Sequence, residues 1–186
     1  IAGWIGKTPL AAYQLANNVT SFFYMLSLGL ATAAAVRVGN AIGRGEPRNV
    51  SRAGWAAVHL VIGVMLLVGL GISLMRDEIA AAYTSDPDVI AVASPVLAVL
   101  AVLVVLDGMQ SVLMGALRGA GDVVVPTGIY AIAFGVCAVP ISYYLGYQQG
   151  EGAIGIVLGL TSGLVTAVIL LSLRFSWMAH RPLYTR

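Results

Sequence analysis

Charge is what this sequence has least of. Of its 186 residues only 10% are Asp, Glu, Lys or Arg, against roughly 25% in an ordinary soluble domain. Cysteine is nearly absent as well, and the single Cys137 excludes an internal disulfide framework or a thiolate metal cluster. Two histidines, His59 and His180, lie far apart and offer no evident zinc ligand set. The net charge of +2 is too small to point to nucleic acid as a partner. No Ser-His-Asp order, carboxylate pair or phosphate-cradling glycine loop is visible, so the chain is not read as an enzyme. An initiating Met and a signal-like leader are also missing. The chain opens at Ile1 in a loop-like segment and is read as part of a longer protein.

What is there is apolar. Hydrophobic residues make up 59% of the chain, and the few charges fall in short clusters. Between them lie uncharged stretches at 8–36, 53–75, 89–106, 123–150 and 152–173. Each reaches the roughly 18 residues a membrane-spanning helix needs. A soluble protein would have to bury five such helices on every side, so the fold expected is an all-α polytopic membrane protein in a lipid bilayer.

Five spans are predicted at about 9–42, 47–75, 89–117, 124–147 and 153–177. Pro9 suits a first turn, where no backbone donor is needed. Gly43-Arg44-Gly45-Glu46-Pro47 ends the first span, and the polar segment from Arg76 to Asp88 carries an Asp86-Pro87 turn and helix start. Arg118 to Asp122 and Gln148 to Gly152 form the remaining breaks. Pro95 and Pro140 lie inside the third and fourth spans and should bend them.

Arginine placement sets an orientation. Arg44, Arg48 and Arg52 stand against Glu46 in the first turn, Arg118 lies in the third break, and Arg174, Arg181 and Arg186 follow the fifth span. The opposite side holds Arg76 with Asp77, Glu78, Asp86, Asp88 and Glu151, and Lys7 is its one further basic residue. The chain is therefore predicted to enter from outside and end in the cytoplasm. Gly155, Gly159 and Gly163 recur every four residues, a spacing that admits a close neighbouring helix. Gly39/Gly43 and Gly115/Gly119 repeat it in the first and third spans.

Asp107 is the residue in the wrong solvent. It lies eleven residues before Arg118, roughly 16 Å along a helix, which puts it near the middle of a hydrocarbon core about 30 Å thick. A carboxylate there costs at least about 2.5 kcal/mol to insert. It must face a cavity, accept hydrogen bonds, bind a cation or take up a proton. A coupling role is favoured over a purely structural one. Gln110 and Met114 continue its face at helical spacing. Gln14, Asn17, Asn18 and Ser21, extended by Tyr24, form a polar stripe on the first span, expected to point into the bundle as cavity lining or interhelical hydrogen bonding. Arg37 can snorkel to the interface, and His59 is expected to be a hydrogen-bonded histidine rather than a proton relay.

Two stretches resemble a known family. One is GLATAAAVRVGNAIG from Gly29 to Gly43, with Arg37, Gly39 and Gly43. The other is DGMQSVLMGALRGAGD from Asp107 to Asp122, with Arg118, Gly119 and Asp122. Together they resemble the carboxy-terminal lobe of multidrug and toxic compound extrusion (MATE) transporters, in the NorM-like bacterial branch. The resemblance implies that the five spans match helices eight to twelve of a twelve-helix family. It implies alternating access in a bacterial inner membrane, coupled to Na⁺ or H⁺ and needing no cofactor, and small organic cations as substrates. The family's coupling carboxylate falls on Asp107, which would then be a Na⁺ ligand if sodium is the coupling ion. The amino-terminal lobe and the seventh helix, with its partner acid, would be the remaining partners. A lipid-linked oligosaccharide flippase of the same superfamily, or a non-transporting scaffold, is the alternative.

Overall fold

The structure, a computed structural model, describes residues 7–179. His180, Arg181 and Arg186 of the sequence reading lie outside the described residues. Every regular element among them is helical. Helix α1 is Lys7–Gly43, α2 is Pro47–Leu74, α3 is Arg76–Tyr83 and α4 is Pro87–Gly119. Helix α5 covers Val124–Gln148 and α6 covers Gly152–Ala179. All except α3 are long and apolar enough to cross a membrane, and the predicted span ends differ from the observed ones by at most two residues. The chain is a multi-pass membrane protein.

The ends of the helices follow from local chemistry. Asp86 caps α4, its carboxylate accepting from the Asp88 amide at 3.0 Å, with Pro87 in the first turn where no donor is missed. Helix α1 ends at Gly45, whose φ of 69° is open to glycine at little cost. There the amides of Gly45 and Glu46 turn back to the carbonyls of Ile42 and Ala41. Gly121 ends α4 in the same way, closing onto Arg118 and Leu117.

Helix α3 was not expected. The segment from Arg76 to Asp88 reads as a polar loop, yet Asp77 and Glu78 sit in a first turn, where they favour the helix dipole. Ile79 and the fully buried Ala80 then tuck against the core near α4. The two prolines behave differently. Pro95 lies on an exposed face, and α4 runs through it as one α-helix. Before Pro140, α5 widens into a π-helical turn over Ala133–Ala138, and a second covers Tyr144–Gln148. Pro140 has no amide hydrogen to donate, and an inserted residue is a common way for a helix to absorb that loss.

Helix α4 is the hub, packed against α1, α2 and α6. Small residues set how closely it is approached. A Cβ on Gly115 would strike the backbone of Ala31, and one on Gly119 the backbone of Ala35. Gly39 faces the Gly119 carbonyl from the other side, whereas Gly43 meets nothing. Gly155, Gly159 and Gly163 are all buried and lie against Leu145, Ser142 and Ala138 of α5. Ser142 adds a hydrogen bond from its hydroxyl to the Ile156 carbonyl at 3.0 Å. The lateral surface is apolar: Phe22, Met25, Leu67, Leu70, Leu74 and Leu173 are all exposed.

Candidate functional site

Asp107, Gln110, Ser111, Met114 and Arg118 are spaced three or four residues apart and form one stripe along α4. Gly108, one residue round the helix, is buried against Met65 and Val61 of α2, which holds this part of α4 with the stripe turned away from α2. Below Asp107, α1 is drawn onto α4 at Gly115 and Gly119. Alongside those contacts, from Asp107 to Arg118, runs a cavity of about 480 Å³, within the range of small-molecule sites. Its walls are the α4 stripe, Tyr24, Leu28 and Thr32 of α1, and Tyr130 of α5.

Asp107 is half-buried on this wall. Among the described residues it has no hydrogen-bond or ion-pair partner, and the cavity holds no other acid. Gln110 is buried and turns its amide to the Met114 sulfur at 3.0 Å. Arg118 lies at the cavity's Arg-rich end, roughly three turns of helix from Asp107 and not paired with it. No group of three or more His, Cys, Asp or Glu side chains converges among the described residues. The cavity wall thus offers one carboxylate, Asp107, and otherwise only neutral side-chain oxygens, those of Tyr24, Thr32, Gln110, Ser111 and Tyr130, distributed along its length.

The structure thus brings Tyr24, Asp107, Gln110 and Met114 to one cavity. It puts the other members of the polar stripe elsewhere. Gln14, Asn17, Asn18 and Ser21 lie on an exposed face of this chain, because α1 packs on α4 through Ala12, Leu15, Ala16 and Val19. Asn18 and Ser21 donate to the carbonyls of Gln14 and Asn17 on their own helix. Gln14 and Asn18 border a separate cleft with Tyr83, Thr84 and Val89. Arg37 lies in another cleft near the end of α1. Asp122 binds Arg174 of α6 at 2.7 Å, and Arg174 also lies over the Trp177 ring. His59 donates from Nδ1 to the Trp55 carbonyl at 2.7 Å.

Tyr130, Thr32, Ser111 and Arg118, which border the cavity, were not singled out from the sequence as cavity lining. Arg118 and Ser111 carry a signal in their i, i+4 and i, i+11 spacing from Asp107. Tyr130 and Thr32 carry none.

Five apolar spans, a carboxylate in a cavity at mid-span and close small-residue helix crossings define an all-helical, multi-pass membrane protein. The chain belongs to the MATE family: the family profile described as MatE matches residues 1–144. It is 39% identical over 97% of its length to a "Probable multidrug resistance protein NorM" from Xanthomonas axonopodis pv. citri, covering 40% of that protein. A "Multidrug resistance protein NorM" from Burkholderia vietnamiensis is 38% identical over 93% of the chain, which covers 38% of it. The chain therefore spans about two fifths of the length of these relatives. In fold it is similar to the eukaryotic MATE transporter AtDTX14, with a TM-score of 0.86 at 21% identity over 93% of this chain and 40% of that one. An inward-facing multidrug resistance MATE family transporter gives 0.74 at 21% identity, covering 88% of this chain and 39% of that one.

Proposed function

We propose that this chain is the carboxy-terminal lobe, helices eight to twelve, of a cation-coupled exporter of cationic or amphipathic compounds in a bacterial inner membrane. The observation that carries the reading is Asp107. It is a carboxylate in a cavity near mid-span with no partner among the described residues. A structural carboxylate at that depth would be held by donors, because isolation there is costly. An unheld one is free to exchange ligands. A coupling ion, Na⁺ or H⁺, neutralises it in one conformation, and a cationic compound does so in the other. Each ligand then favours a different state, and each weakens the binding of the other. Tyr24 and Tyr130 supply aromatic surface for an organic cation, and Met114 adapts to its apolar part. The amino-terminal lobe and the seventh helix complete the cavity.

The test is transport by the full-length protein in everted vesicles. Asp107→Asn is expected to abolish gradient-driven efflux of a cationic dye while leaving membrane insertion intact. Efflux at the unmodified rate would remove the coupling role.

A further inference from the structure

A second cleft, of about 380 Å³, lies where α1 ends and α2 begins, and arginine dominates it. Arg37, Arg44 and Arg52 line it together with Asn40 and Asn49. The one acid at its edge is already engaged. Glu46 accepts from the Asn49 amide at 2.8 Å and from Arg44 Nε at 3.2 Å. Those two contacts, Asn49 first, hold the Glu46 carboxyl below the usual carboxylate range, so it stays ionised and balances Arg44. Arg37 and Arg52 have no hydrogen-bond or ion-pair partner among the described residues. Two unneutralised guanidinium groups and the side-chain amides of Asn40 and Asn49 line one concavity.

We propose that this cleft binds a phosphate group, and specifically the headgroup of an anionic phospholipid in the leaflet at the Arg-rich end. Guanidinium groups suit phosphate oxygens, and basic pockets between transmembrane helices are suited to anionic headgroups. Snorkelling alone would bring the arginines to the interface but would not gather Asn40 and Asn49 around them. The surroundings favour a lipid over a free anion. On α1 the stripe leading from Arg37 into the span is exposed through Ala33, Leu26 and Phe22. On α2 the stripe from Arg52 is exposed through Ala56, Leu60 and Leu67. Acyl chains of a lipid held at the arginines have apolar helix surface to lie along.

The test is binding, read without transport, so its outcome is independent of the role of Asp107. Detergent-purified full-length protein is titrated with dioleoylphosphatidylglycerol, dioleoylphosphatidylcholine or inorganic phosphate and followed by native mass spectrometry. Phosphatidylglycerol is expected to bind the unmodified protein in preference to phosphatidylcholine. The Arg37→Gln/Arg52→Gln variant should lose roughly tenfold or more in that affinity. Arg76→Gln, at the opposite end, should keep it, and both variants should remain monodisperse and inserted. Inorganic phosphate binding as tightly as the lipid, with the same arginine dependence, would keep the phosphate site but assign it to a free anion. Equal phosphatidylglycerol binding by the unmodified protein and the double variant would overturn the proposal. So would a failure of all three probes to bind, the result expected if an acidic segment of the same protein fills the cleft.

Discussion

At the scale of single residues the account rests on chemistry out of place. Asp107 costs insertion energy and has no partner among the described residues, and the proposed exchange of ligands there starts from that isolation. Tyr130 faces the same cavity from α5, and its part is separable by substitution. Tyr130→Ala should raise the half-saturating concentration of an aromatic cationic dye about three- to tenfold, the size of a lost cation–π contact. Tyr130→Phe should stay within about twofold, since the ring face is retained. Transport measured across a dye concentration series checks both. Asp107, Gln110 and Met114 are legible in the sequence because they lie on one helix, where spacing alone fixes a shared face. Tyr130 is not, since its place depends on how α5 leans on α6. The polar stripe at Gln14 to Ser21 is legible as a shared face for the same reason as the α4 stripe, but the direction of that face is not. Periodicity says that four residues share a face, but the alanines beside them decide which face meets α4.

At the scale of elements, small residues set the geometry and one ion pair ties the ends. Gly159 lies under Ser142 of α5, with no room for a methyl group. Gly159→Ala should destabilise the lobe by about 1–3 kcal/mol, the usual cost of overpacking. Gly63→Ala, where nothing lies within 4 Å, should be neutral or slightly stabilising, as expected of alanine in a helix. Thermal unfolding of the full-length protein in detergent, followed by size exclusion, separates the two. Arg174 and Asp122 join α6 to the start of α5 with side chains 25% and 15% exposed. Between the values of surface and buried pairs, Arg174→Ala should cost about 1–2 kcal/mol by the same assay. The glycine repeat was readable because tight crossings in lipid need it. Helix α3 and the π-helical turns were not. The first depends on Ala80 finding the core, and the second on how the backbone absorbs the donor missing at Pro140.

At the scale of the whole molecule, the chain is a five-span member of the MATE family with a cavity beside Asp107, about two fifths of the length of its relatives. Its surface is apolar along the spans, as composition foretells, and most of its arginines gather at one end, as their placement along the sequence foretells. What composition does not foretell is the cavity, which runs beside α1 and α4 from Tyr24 and Asp107 to Ala35 and Arg118 and is bordered by Tyr130 of α5. The central claim is that one carboxylate serves the coupling ion and the exported compound in turn. Equilibrium binding of a fluorescent cationic dye to the purified full-length protein tests it most directly. Binding is measured as Na⁺ is raised at fixed pH, and then as pH is lowered without Na⁺. Dye affinity is predicted to fall along one of the two series in the unmodified protein and to be indifferent to both in Asp107→Asn. Undiminished competition in Asp107→Asn would contradict the account.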